Sequence, residues 1–278
     1  MKKYFAILAQ RSFGIRLGSF ILFLCLPWLP YAALIYFLVD DSNLQTIVTM
    51  VPLAIWFFLF LPIWGKYVYQ QRRIFEYYGL ELSRRNGVEL LRGLAIGLIN
   101  ILVLFSLQGI MGWLVWQQPS ISLIQLILEG SLTGLGVALA EELFFRGFIY
   151  DELQRDYKPS VVLWSSSLIF AVAHFIKPLP EVIQSSPQFL GLLLLSLAST
   201  FAKRSSRGRL GLSIGIHGGL VWGYYIINVG KLIEYSGSVP IWVTGVNNNP
   251  LAGIMGLIGL TILTFWMRMS DRSKLSNL

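Results

Sequence analysis

Three short stretches of an otherwise apolar chain carry ionisable side chains in a pattern suited to acid–base chemistry. They are Glu141-Glu142-Leu143-Phe144-Phe145-Arg146, Phe170-Ala171-Val172-Ala173-His174 and His217-Gly218-Gly219-Leu220-Val221. Glu142 and Arg146 stand four residues apart with the acid first, the favoured order for a helical ion pair, so Glu142 reads as the structural partner of Arg146. Glu141 is turned by about 100° from Glu142 around a helix axis and has no counter-charge at helical spacing. A carboxylate without a fixed partner is free to take a proton from water and return it. The alternative is a charged cluster at a helix end. His174 and His217 are the only two histidines of the chain, and a histidine inside a membrane can equally serve as a hydrogen-bonding contact between helices. Glu141, His174 and His217 are also an alternative set of three metal ligands, since a catalytic zinc takes three protein ligands and a water. The usual H-E-x-x-H helix is absent.

These residues need elements that hold them in an apolar medium. The chain is 55% hydrophobic and 13% charged, against roughly 25% charged in an ordinary soluble domain. The apolar residues are spread along the whole length, so the bilayer must act as part of the solvent. Cys25 is the single cysteine, which excludes an intrachain disulfide and a cysteine-based zinc site. The net charge of +8 does not indicate nucleic acid, because the basic residues sit in short segments between apolar runs rather than along one folded face. The first apolar run, 17–39, is longer than the roughly 7–15 residues of a signal peptide's core and contains Pro27 and Pro30. It reads as a retained first helix.

A transmembrane helix needs about 20 apolar residues. The runs at 17–39, 46–65, 93–116, 124–153, 160–176, 187–202, 210–229 and 248–268 satisfy or approach this. They predict an all-α, polytopic helical bundle of about eight transmembrane helices forming one membrane domain over 1–278. Lys and Arg collect in cytoplasmic loops. With the N-terminus inside, all of the 22 Lys and Arg except Lys177 and Lys231 fall on the inner side, so both termini are expected in the cytoplasm. Lys203, Arg204, Arg207 and Arg209 are counted there as one inner loop. The longest loop, about Lys66 to Leu91, mixes Tyr67, Tyr69, Tyr77 and Tyr78 with basic residues and is expected in part at the headgroup layer.

Depth connects the three stretches. Glu141 lies 16 residues before Tyr157 and His174 17 after it, so a helical hairpin turning near Tyr157 brings them to nearly equal height. His217 lies about 16 Å beyond the basic segment near Ser206, against roughly 24–26 Å for the two hairpin arms, at 1.5 Å per residue. The three heights agree if the hairpin, tipped by Asp151, Glu152, Arg155 and Asp156, projects about 8–10 Å into the cytoplasm.

The boxes E-E-x-x-x-R, F-x-x-x-H and H-x-x-x-(Asn or other), in this order on separate membrane helices, resemble the CAAX-protease and bacteriocin-processing (CPBP, or Abi) intramembrane endopeptidases, which include the type II CAAX prenyl proteases. The resemblance covers about 130–225, the expected catalytic core. It implies that Glu141 activates a water molecule, His174 helps bind that water, and His217 stabilises the oxyanion. Glu142, Arg146 and Phe170 would be supporting residues. It implies no cofactor; the partners would be membrane lipid and a membrane-associated peptide or protein. One position departs: Val221 stands where well-studied members carry Asn. Ser213 and Tyr224 lie on the face of His217 and are candidates to replace the missing donor. A scaffold or transporter built on the same helices is the non-enzymatic alternative. Transporters commonly show internal repeats with broken helices, and none is evident in the sequence.

Overall fold

Each of the eight apolar runs is helical over most of its length, but the helix ends differ from those that hydropathy gives. The structure is a computed structural model that describes residue 5 and residues 7–275, without the side chains of Ser42 and of residues 272–275. Lys2 and Lys3, counted above in the inner N-terminal segment, lie outside the described residues. The helices are α1 (Phe13–Leu38), α2 (Ser42–Val68), a short α3 (Ile74–Tyr77), α4 (Arg84–Ile110), α5 (Leu123–Glu142), α6 (Tyr150–Gln154), α7 (Pro159–Ala173), α8 (Leu179–Ser185), α9 (Phe189–Ser205), α10 (Gly211–Val229), a short α11 (Ile241–Thr244) and α12 (Ile254–Leu275). Among the described residues five helical stretches are long and apolar enough to cross a membrane: 13–38, 43–68, 84–110, 123–154 and 179–205. Prolines 27, 30, 52 and 62 lie inside α1 and α2, as membrane helices tolerate.

One departure from the expected spans has a simple cause. Helix α4 starts at Arg84, well before the expected 93, because Ser83 caps it by accepting from the Asn86 N–H at 3.2 Å. The charged first turns are thus helix rather than loop. Of the loop tyrosines, Tyr78 is buried and Tyr69 donates to Glu152 Oε2 at 2.7 Å, so neither is a headgroup anchor, whereas Tyr67 and Tyr77 are exposed. Helix α4 then ends at Ile110. Residues Leu114–Trp116 form a strand, β1, that pairs antiparallel with β2 (Ile233–Tyr235), a small ribbon in an otherwise helical protein.

The chain divides into two compact units. The first holds the residues up to Tyr77 together with Asp151–Tyr157. In it Phe20 packs against Phe60 and Trp64, each with centroids at 5.2 Å. Arg16 is buried and donates through Nε to Glu152 Oε2 at 2.6 Å, with Asp156 Oδ1 at 3.2 Å from Nη1. Burial and the Glu152 carboxylate push the Tyr69 phenol well above its ordinary range.

The second unit holds Tyr78–Tyr150 and Lys158–Leu278. Helix α10 is its axis, packed against α4 and α5 through glycines. A Cβ on Gly97 would meet the Ile216 carbonyl oxygen at 2.5 Å, and one on Gly219 would meet that of Leu94 at 2.5 Å. On the other side a Cβ on Gly134 would meet the Gly218 oxygen at 2.7 Å. Backbone-to-backbone approach of this kind is how small residues join membrane helices. The start of α10 is fixed to α4 by Arg209, which donates to both Glu89 oxygens at 2.9 and 2.6 Å. It is fixed again by the Gly211 N–H on Asn86 Oδ1 at 2.7 Å.

Candidate active site

The glutamate pair stands where α5 changes its winding. Residues Leu143–Ile149 continue the helix as a π-helical segment, a wider i→i+5 turn of the kind found mostly at functional sites. Glu142 is fully buried. Its Oε1 lies 3.1 Å from Arg146 Nη1, the pair expected from spacing, and 2.9 Å from His217 Nδ1. Ser199 of α9 lies beside the same carboxylate. Glu142 therefore joins α5 to α10 as well as neutralising Arg146.

Phe170 is the hydrophobic counterpart of that link. Its ring is fully buried, with the Arg146 guanidinium 4.2 Å above it, a geometry that favours a cation over an aromatic face. The His174 ring lies 4.5 Å away, that of His217 6.2 Å and that of Phe145 5.0 Å. One aromatic side chain thus separates and spaces both histidines and the arginine.

His174 is the C-terminal cap of α7. Its backbone N–H goes to Val172 O, and its ring Nδ1 lies 2.8 Å from Phe170 O. A carbonyl only accepts, so Nδ1 carries the hydrogen and Nε2 is the free acceptor of the neutral ring. That nitrogen lies 3.8 Å from Glu141 Oε2. His217 Nε2 lies 3.9 Å from the same oxygen, while its Nδ1 is held by Glu142. Glu141 Oε2 makes no hydrogen bond to another protein group. The side chains of Glu141 and His174 are 30% and 31% exposed, against 4% for His217, so the Glu141–His174 side is the more open one, with Glu141 Oε2 itself buried.

All six residues singled out in the sequence, Glu141, Glu142, Arg146, Phe170, His174 and His217, are thus brought together. Among the described residues no group of three or more His, Cys, Asp or Glu side chains is arranged to hold a metal ion. The two donors expected to replace Asn at position 221 are engaged elsewhere. Ser213 Oγ donates to Leu210 O at 3.0 Å and Tyr224 OH to Asn248 O at 3.0 Å. Sequence reasoning missed Ser199 and Lys203. Lys203, counted in an inner loop, is buried on α9 with Nζ 2.6 Å from Arg146 O. Its place two residues before the helix end, on the face of buried Ser196 and Ser199, was the available signal.

Residues 123–223 match the family model described as type II CAAX prenyl endopeptidase, Rce1-like. The matched stretch contains all six site residues and supports the resemblance to the CAAX-protease family. No curated protein and no solved structure matches the chain.

Proposed function

We propose that this membrane protein, similar over residues 123–223 to the type II CAAX prenyl endopeptidases, hydrolyses a peptide bond of a membrane-associated substrate with a water activated by Glu141. The observation that carries the reading is Glu141 Oε2 set 3.8 Å from His174 Nε2 and 3.9 Å from His217 Nε2. These separations are too long for direct hydrogen bonds and suit a water bridging the carboxylate to an imidazole.

In this mechanism His174 accepts one hydrogen of the water through Nε2, and Glu141 takes the proton as the oxygen attacks the substrate carbonyl. His217 donates from Nε2 to the developing oxyanion. Donation requires the ring to carry both protons, a form whose charge Glu142 balances at Nδ1. Glu141 then returns its proton to the leaving amine, as a general base turned general acid. The products are a carboxylic acid, which keeps the other hydrogen of the water, and an amine, so atoms and charge balance with water alone. The largely buried setting of His217 strengthens each of these interactions by excluding bulk water.

The positive-inside pattern supports eight spans with both ends in the cytoplasm and a site reached from that side. A prenylated C-terminal peptide is the substrate class that the family likeness favours, with its lipid in the bilayer and its peptide at the more open Glu141–His174 face. The test is purified protein in lipid nanodiscs, a fluorogenic farnesylated CAAX peptide and product mass analysis, with and without chelator. Release of the C-terminal tripeptide in chelator supports the reading. An intact peptide contradicts it for this substrate class, and activity lost to chelator and restored by zinc makes Glu141, His174 and His217 metal ligands.

A further inference from the structure

The mechanism makes no use of Lys203, a lysine with 3% of its surface exposed. An ammonium is costly to bury without compensation. Two of its contacts fall on or beside the π-helical segment: Nζ lies 2.6 Å from Arg146 O and 4.7 Å from the centroid of the Tyr150 ring. In an α-helix the Arg146 carbonyl would receive the N–H of Tyr150. Here that N–H goes to Phe145 O and Gly147 O instead. The lysine supplies a donor to a carbonyl whose ordinary α-helical donor the wide turn has redirected. It does so from α9, one helical turn after Ser199, which lies beside Glu142.

We infer that Lys203 is a positioning residue that holds the wide turn at residues 143–149 in register, and through it the placement of Glu141 and Glu142 against the two histidines. The turn lies between Glu142 and the remainder of the helix, and Arg146, the partner of Glu142, is the residue whose carbonyl Lys203 grips. If the segment relaxed to ordinary α-helix, the glutamates would rotate relative to everything after residue 149. Lys203 touches none of the reacting atoms, so its effect reaches chemistry only through geometry. The catalytic part of this inference rests on the peptidase reading; the structural part does not.

The experiment compares the wild type with Lys203→Met, which keeps the length of the side chain and removes the donor. Lys203→Gln takes the same measurements should the first variant fail to fold. Amide hydrogen exchange is read over 143–151 and, as the reference, over α10. The expected result is exchange about ten-fold faster or more in the turn with protection of α10 kept. Unchanged exchange in the turn, or equal loss across both helices, overturns the inference. Where the farnesylated peptide is cleaved, kcat should fall by about ten- to a hundred-fold, as for a small misplacement of reacting groups, with KM within about two-fold. An unchanged kcat also overturns it. An inactive wild type whose turn loosens in the variant counts against the peptidase reading and supports the role of Lys203.

Discussion

His217 Nδ1 and Glu142 Oε1 lie 2.9 Å apart, and this bond joins the helix that carries the glutamates to the helix that carries the last histidine. The same oxygen meets Arg146 Nη1 at 3.1 Å, so one buried carboxylate serves a permanent cation and an imidazole. Glu142→Gln is expected to leave Arg146 buried without its ion-pair partner, which costs about 3–5 kcal/mol in such pairs. It should also leave His217 without a carboxylate to hold its doubly protonated form. Thermal unfolding in detergent measures the first effect and kcat the second. A variant with wild-type stability would show that the carboxylate does not carry the link.

The glycine contacts predict a sharp contrast between two positions. Gly97→Ala places a Cβ 2.5 Å from Ile216 O, a backbone atom, and pushes α10 away from α4, at a cost of about 1–3 kcal/mol as for other overpacked sites. Gly136→Ala on α5 meets nothing within 4 Å and should be neutral or stabilising by up to about 1 kcal/mol through helix propensity. Because His217 follows Ile216 directly, only the first substitution should also lower activity. Equal unfolding temperatures for the two would contradict the packing account.

Val221 lies one helical turn after His217 and offers no hydrogen bond, while Ser213 and Tyr224 donate elsewhere. Val221→Asn is therefore expected to raise kcat for the farnesylated peptide, by up to about 10²-fold if the amide reaches the oxyanion. The measurement is kcat and KM side by side. A lower kcat at unchanged folding would show that the site works without a donor at this position.

What the sequence disclosed about the site is what spacing can disclose. The Glu142–Arg146 pair follows from four residues on one helix, and the meeting of Glu141 with His174 follows from their equal distances from a turn. The Glu142–His217 bond does not, because it spans two helices 75 residues apart and depends on how the glycines of α10 seat against α4 and α5. The π-helical turn left no periodic mark, since it is a change of winding inside one apolar run. Hydropathy places Lys203 and Arg209 in a loop and leaves Arg16 just ahead of the first apolar run, because it locates the bilayer and not the ends of helices. In the structure each is buried and engaged: Lys203 on Arg146 O, Arg209 on Glu89 and Arg16 on Glu152. The helical course of the eight runs was legible for the same reason that these exceptions were not, because apolar length dominates the pattern.

The central claim is that Glu141 activates the water, and Glu141→Gln tests it most directly, since the amide keeps the shape of the side chain and cannot take the proton. Cleavage of the farnesylated CAAX peptide by wild type and variant should be compared at equal loading, with unfolding temperature as the check that both are folded. The account predicts a loss in kcat of at least about 10²-fold, the scale of a general base, with the unfolding temperature little changed because Glu141 is the more exposed member of the pair. Equal kcat for the two folded proteins would contradict it.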